Sequence, residues 1–392
     1  MNSKELNSIL PKVFLLLVLA SILSCATNTN QDNQSNINME YLFQGSRLYA
    51  FGLSLQNFPE NERDSVINDF IREYPTTPIF ESDTVVSLYW YGKADQVLIY
   101  SDLHGWSVPD TLNSIPCGGF TFFHKSYILP FDARIDYQFQ IDTLFTIDER
   151  NPSITPSGYG PHSEIAMPGF KPDPIRQHRQ DILHGSLDSL LLVSKSSDIQ
   201  SRKAMVYLPY GIDSLDQLPV LYVLDGLEAI EYMSYPTVLD NLIADGKIEP
   251  LIVVFIPPVE RHVEFIGEKH DDFLAVLCDE FVPHVDKTYK TQAQPEKRGI
   301  TGISSGGHFA LLAVLSRPDV FLCGAGQSPT MSNALLEALH NFSSEKINYP
   351  SLHFYFDVGR FDLANGTINN QTFLEANEHF SRELTSAGIS YR

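Results

Sequence analysis

Gly302-Ile303-Ser304-Ser305-Gly306 reads G-x-S-x-G, a spacing suited to a serine that acts as a nucleophile. Taken alone the pentapeptide is a weak signal, because glycine and serine are both common residues. Its flanks strengthen it. Arg298-Gly299-Ile300-Thr301 reads as a short buried strand running into the motif, and residues 307–315 read as an apolar helix leaving it. A sharp turn between the two would force Ser304 into a strained backbone conformation and tolerate only glycine on either side. It would also raise the serine above the sheet edge and aim the first N–H groups of a helix at the space beside it. The alternative is a plain Gly/Ser loop.

Such a serine needs a scaffold, and the sequence around it alternates in the right way. From about residue 185, apolar strand-like runs at 187–193, 203–208, 220–224, 251–256, 299–302, 322–326 and 352–356 are separated by helical stretches. Near-continuous apolar strands alternating with helices predict a parallel sheet covered on both faces. Upstream, a helix is expected around residues 62–73. Residues 80–147 then change character, with runs such as Val85-Val86-Ser87-Leu88-Tyr89-Trp90-Tyr91 and Ile135-Asp136-Tyr137-Gln138-Phe139-Gln140-Ile141. Short, aromatic-rich, partly alternating segments separated by Gly, Pro, Asp and Asn predict a small β-sandwich. The Pro/Gly-rich piece 152–174 reads as the linker. Trp90 and Trp106 would stack on sugars if exposed, but are more readily read as core.

The 392 residues, 43% hydrophobic and 19% charged, are enough for two domains with real cores. With 27 Lys and Arg against 48 Asp and Glu the net charge is −21, which disfavours nucleic acid or an anionic membrane surface as a partner. At the N-terminus, a charged start with Lys4 and Lys12 precedes an apolar run over residues 13–23 that is too short to span a bilayer but suits a signal peptide. Its end, Ile22-Leu23-Ser24-Cys25, resembles a bacterial lipobox. That resemblance implies removal of residues 1–24, acylation of Cys25, and attachment to the bacterial cell envelope. Residues 27–36, rich in Asn, Gln, Thr and Ser, cannot bury a core and suit a flexible tether over 25–40. Cys117, Cys278 and Cys323 cannot all pair with one another and lie at no metal-ligand spacing, so they are expected as buried small apolar residues, with no metal or cofactor.

With these residues placed, the chain resembles the esterase family of α/β-hydrolases that includes the enterochelin (ferric siderophore) esterases and several carbohydrate and feruloyl esterases. The likeness rests on residues 219–226 (PVLYVLDG), Arg261-His262-Val263-Glu264-Phe265, residues 279–286 (DEFVPHVD) and the serine motif. Upstream, residues 147–152 and 160–168 resemble the exit from the sugar-module-like sandwich that precedes such hydrolases. The resemblance implies an α/β-hydrolase fold over 175–392, mostly parallel with helices on both faces. Before it the resemblance implies an N-terminal segment, 41–170, holding a small Ig-like sandwich.

It also implies roles. Ser304 would be the nucleophile. The Ser305 N–H, together with that of Gly226 or Leu227, would bind the oxyanion. The acid follows the serine at the end of a later strand, where a glycine followed three residues on by an acid selects Asp362 over Asp357. The alternative for Asp225 and Gly226 is only a tight turn. Arg261 and Glu264 match an R-x-x-E feature of the family, read chiefly as a structural ion pair, with Arg261 the candidate for touching substrate. His308 is expected to point into the packing beneath the serine.

One feature of the family is missing. Its catalytic histidine follows the final strand, after a helix expected here over 371–387; Gly388-Ile389-Ser390-Tyr391-Arg392 reads as the first step of that strand, and no histidine follows Asp362 except His379, within the helix. The sheet is therefore expected to be C-terminally incomplete, and the chain to be either a truncated esterase or a short form that has lost hydrolysis. Two functions stand: a serine esterase acting on a siderophore-type or a carbohydrate or feruloyl ester through an acyl-enzyme, or a non-catalytic binding lipoprotein of the envelope.

Overall fold

The computed structural model describes residues 46–344, 352–363 and 370–392. The expected signal segment, Cys25 and the tether lie outside them. The described residues divide into two compact units, 46–172 and 173–392.

The first unit opens with helices α1 (Arg47–Leu55) and α2 (Glu60–Glu73). Ten strands follow: β1 (Ile79–Phe80), β2 (Val85–Gly92), β3 (Val97–Ser101), β4 (Asp110–Thr111), β5 (Asn113–Cys117), β6 (Phe120–Ile128), β7 (Arg134–Ile141), β8 (Leu144–Thr146), β9 (Ile154–Thr155) and β10 (His162–Ala166). They form two antiparallel sheets, ordered β1-β2-β6-β5 and β4-β3-β7-β10-β9, with β8 on β7. Strict alternation builds β7, whose Ile135, Tyr137 and Phe139 are fully buried while the residues between are not. Leu48, Leu55, Ile67 and Phe70 from the two helices pack on Tyr89, Ile115 and Phe122, so the first sheet has a helical cover.

Two expectations need correcting here. The strands continue past residue 147, because β10 pairs with β7 (Ser163 opposite Tyr137, Ile165 opposite Ile135). Residues 152–174 are therefore not simply a linker. Their prolines and glycines mask a short alternating run, Ser163 and Ile165 buried, that pairs with β7 on one side and β9 on the other. The tryptophans are engaged rather than free. Trp90 packs on Phe123, and Trp106 stacks on His162 and donates its Nε1–H to Asp102.

The second unit is a single eight-stranded sheet. Its strands are β11 (Ser186–Leu192), β12 (Arg202–Leu208), β13 (Val220–Leu224), β14 (Ile252–Ile256), β15 (Arg298–Ile303), β16 (Cys323–Gln327), β17 (His353–Asp357) and β18 (Ser390–Tyr391). The order is β11-β12-β14-β13-β15-β16-β17-β18, antiparallel at β11 and β12 and parallel from β14 onward. Helices α3 (Gly226–Glu231), α4 (Tyr235–Ala244), α5 (Arg261–Phe265), α6 (His270–Val276), α7 (Val282–Thr288), α8 (Ser305–Ser316), α9 (Asn333–Ser344) and α10 (Phe373–Ser386) alternate with the strands. β13, β14 and β16 are buried along their whole length, which is why their sequences do not alternate. Helix α8 is apolar all round and buried from Ser305 to Leu315, as a helix enclosed on every side must be. Cys117, Cys278 and Cys323 are free and buried.

After β13 the chain moves outward to β14 and then returns across β13 to form β15. That reversal makes the carboxyl ends of β13 and β15 the switch point of the sheet, the place where open α/β sheets form the crevice that binds ligands.

Candidate active site

Ser304 stands in that crevice, between the last residue of β15 and the first of α8. Its backbone takes φ 53° and ψ −117°, a region costly for any residue with a side chain and held only when the surroundings dictate it. Those surroundings are visible. The Ser304 N–H donates to the Gln327 carbonyl at 2.9 Å; the Ser304 carbonyl accepts from His308 N at 2.9 Å and from Thr330 N at 3.1 Å. The flanking glycines are required by contact: a Cβ on Gly302 would lie 2.5 Å from the Gly306 carbonyl carbon, and one on Gly306 would lie 2.7 Å from Asp225 Oδ2.

Two helices begin at this end of the sheet, one after β15 and one after the neighbouring β13. Ser305 begins α8, and the first N–H groups of a helix have no intrahelical acceptor. On the neighbouring strand, Asp225 turns into the left-handed region (φ 53°, ψ 44°) and releases Gly226 and Leu227 into the start of α3. Gly226 has no room for a side chain, since its Cβ would meet the Phe255 backbone at 2.3 Å. Asp225 and Gly226 are thus a tight turn whose position at the end of β13 also presents N–H groups.

Arg261 and Glu264 do not pair with each other, which corrects the expectation of one R-x-x-E ion pair. Arg261 binds Asp225 through one edge of its guanidinium, Nε to Oδ1 at 2.7 Å and a terminal nitrogen to Oδ2 at 2.8 Å, and also donates to the Ile303 carbonyl at 3.1 Å. Glu264 instead takes a fork of two 2.8 Å bonds from Arg202 of β12. Three residues apart on a helix of under two turns, the two side chains diverge onto different partners.

On the other side of Ser304, strand register sets the carboxylates. Ile303 lies opposite Gln327, and Gln327 opposite Asp357, so Asp357 ends its strand two strands away, roughly 10 Å across the sheet. Burial pushes the Asp357 carboxyl up to about 6; a bond from Ser328 N–H lowers it and the nearby Asp362 charge raises it. Asp362 lies in the loop after β17 at the same sheet edge, its Oδ1 accepting from Leu363 N at 2.7 Å. Thr330 was not legible as a site residue: its hydroxyl lies 3.4 Å from Ser304 Oγ, and nothing in its local sequence marks it.

Among the described residues Ser304 Oγ meets the Thr330 hydroxyl and no imidazole. His308 is buried with Nδ1 3.2 Å from the Phe265 carbonyl and Nε2 2.7 Å from Ser332 Oγ. Burial pulls it down to about 4. His379 lies on α10 beside Glu383, at 3.7 Å.

Residues 196–390 match the model of the family described as "Putative esterase". This part of the chain belongs to that esterase family. The chain is 36% identical over 173 residues to an endo-1,4-β-xylanase/feruloyl esterase of Xylanibacter ruminicola, a match that covers 41% of this chain and 23% of that relative. The chain therefore spans less than a quarter of the relative's length. Among solved structures, the chain resembles the ferric enterobactin esterase of Salmonella typhimurium (TM-score 0.64, 16% identity, 83% of this chain and 92% of that one). It also resembles the enterobactin esterase of Shigella flexneri (TM-score 0.63, 17% identity, 80% and 88%). At such identities the likeness carries the α/β-hydrolase fold and nothing finer.

Proposed function

We propose that the chain is a serine-type carboxylic ester hydrolase in which Ser304 forms an acyl-enzyme. The observation that carries this reading is the strained Ser304 backbone between β15 and α8, fixed by Gln327 and Thr330 above the crevice. Ser304 Oγ would add to the ester carbonyl carbon as its proton passes to a base. The N–H groups of Ser305 and of Gly226 or Leu227 would hold the resulting oxyanion. Collapse would break the bond to the alcohol, which leaves with that proton, and water would then release the acid by the same route. Asp362 is the candidate to orient the base.

For the substrate, the sequence similarity favours a feruloyl-type ester on carbohydrate, since the relative at 36% identity bears that name. A siderophore-type ester is the second arm of the test. Purified protein given methyl ferulate and enterobactin in parallel, with imidazole supplied as external base and Ser304→Ala as control, should release ferulate in a Ser304-dependent reaction. Enterobactin cleavage alone would reverse the substrate assignment, and equal rates in the Ser304→Ala variant would end the serine reading.

The second reading, a non-catalytic envelope protein that keeps the crevice as a binding site, draws on one observation: no imidazole meets Ser304 among the described residues. An envelope location itself is proposed from Cys25 and the apolar run before it. Labelled palmitate should enter the wild-type protein in a bacterial host and not Cys25→Ala.

A further inference from the structure

Asp225 poses an electrostatic problem for any reaction that develops negative charge in this crevice. Its side chain is 3% exposed, its carboxylate approaches the start of α8 so closely that Gly306 can carry no Cβ, and it immediately precedes the N–H groups of Gly226 and Leu227. A bare carboxylate at that place, shielded from water, would oppose an oxyanion held by those same groups. Arg261 answers it. The guanidinium closes a two-bond fork on Asp225 and uses the same terminal nitrogen to reach the Ile303 carbonyl, one residue before Ser304. One side chain thus ties the turn after β13 to the strand that carries the nucleophile, a geometry that a planar guanidinium meets and a lysine ammonium does not.

We propose that Arg261 is a positioning residue of the oxyanion site: by neutralising Asp225 and fixing the Asp225–Gly226 turn against β15, it lets the crevice accept a negative charge. The proposal rests on the serine-hydrolase reading above. It replaces direct substrate contact as the role of Arg261, and it separates Arg261 from Glu264, whose ion pair with Arg202 lies elsewhere.

Phenylboronic acid tests this without requiring a general base. Its boron accepts the Ser304 oxygen, the serine proton leaves to solvent, and the product is a tetrahedral boronate carrying one negative charge at the oxyanion position. Binding is followed by the ¹¹B resonance of the tetrahedral adduct and by calorimetry, with thermal unfolding run on every variant. Arg261→Gln should weaken the adduct roughly 10- to 100-fold, a fraction of what loss of a direct oxyanion donor costs. Arg261→Lys should weaken it less, because charge survives and only the fork is lost. The deciding variant is Asp225→Asn/Arg261→Gln. With both charges removed, and with an asparagine that tolerates the left-handed backbone, affinity should return to within about threefold of wild type if the effect is electrostatic.

A double variant as weak as Arg261→Gln would overturn the proposal in favour of a purely structural contact. So would an Arg261→Gln protein that binds like wild type while Ser304→Ala does not bind. If wild type and Ser304→Ala bind alike, or neither forms an adduct, the serine reading itself fails and the role of Arg261 falls with it.

Discussion

Thr330 holds Ser304 at two points, its N–H donating to the Ser304 carbonyl at 3.1 Å and its hydroxyl lying 3.4 Å from Ser304 Oγ. The first contact fixes the backbone of the turn and the second the rotamer of the nucleophile. Thr330→Val keeps the first and removes the second at nearly constant shape. The hydroxyl contact is long, so the variant should lose no more than about 0.5–1.5 kcal/mol of stability in urea unfolding, with the tetrahedral boronate still formed at Ser304. A loss several times larger would mean that the hydroxyl, not the N–H, maintains the turn.

The Arg202–Glu264 pair, which joins β12 to α5, supplies a contrast. Its side chains are 2% and 4% exposed, and Arg202 also lies over the Phe273 ring at 4.8 Å. Removing one partner strands the other charge in the core. Glu264→Ala should therefore cost about 3–5 kcal/mol in denaturant unfolding, whereas replacing both residues by leucine or methionine should cost less than Glu264→Ala alone. If the single and double variants unfold alike, the cost is not that of a stranded buried charge.

These two ion pairs show where the sequence stops being informative. The G-x-S-x-G turn was legible because its strand, glycines and apolar helix are neighbours in the chain, so steric demands at Ser304 leave a local trace. The strand positions of the α/β unit were legible for the same reason, as short apolar runs between helical stretches. Arg261 and Glu264 looked like a pair because only their separation of three is visible; their partners, Asp225 and Arg202, lie 36 and 62 positions away and become neighbours through sheet order. Thr330 reaches Ser304 from the next strand's loop in the same way. β10 was missed because a five-residue strand between proline- and glycine-rich pieces carries too few alternating positions to stand out.

Asp357 gives the pH dependence a sign. Burial raises its folded carboxyl from 3.8 to about 6, so between these values the folded state holds more protons than the unfolded one. Stability from this group therefore falls as pH rises from about 4 to about 6, a penalty on the order of 3 kcal/mol once the carboxylate is fully ionised. His308, pulled down to about 4 by burial, acts in the opposite direction, since its neutral form is lost as pH falls. Comparing Asp357→Asn with wild type at each pH cancels that background. The variant should be the more stable protein at pH 7, by an amount that shrinks to nothing near pH 4; equal stability at both would place the Asp357 carboxyl at its ordinary value.

Catalysis by residues 1–392 is where the geometry makes its strongest demand. A serine hydroxyl is a poor nucleophile at neutral pH unless a base removes its proton, and a positioned base contributes about 10²- to 10⁴-fold. Ser304 meets Thr330, which cannot serve as that base, while His308 is committed at both ring nitrogens. A protein of residues 1–392 should therefore hydrolyse p-nitrophenyl acetate no faster than its Ser304→Ala variant in ordinary buffer. Adding imidazole at rising concentration should restore part of the rate in wild type and not in Ser304→Ala, after subtraction of the solution reaction. The recovery should stay well below that of a tethered base, because free imidazole brings the proton acceptor but not its orientation. Fast Ser304-dependent turnover without imidazole would show that a residue of this chain already serves as base; the variants His262→Ala, His308→Ala and His379→Ala would then identify it by which one abolishes the rate.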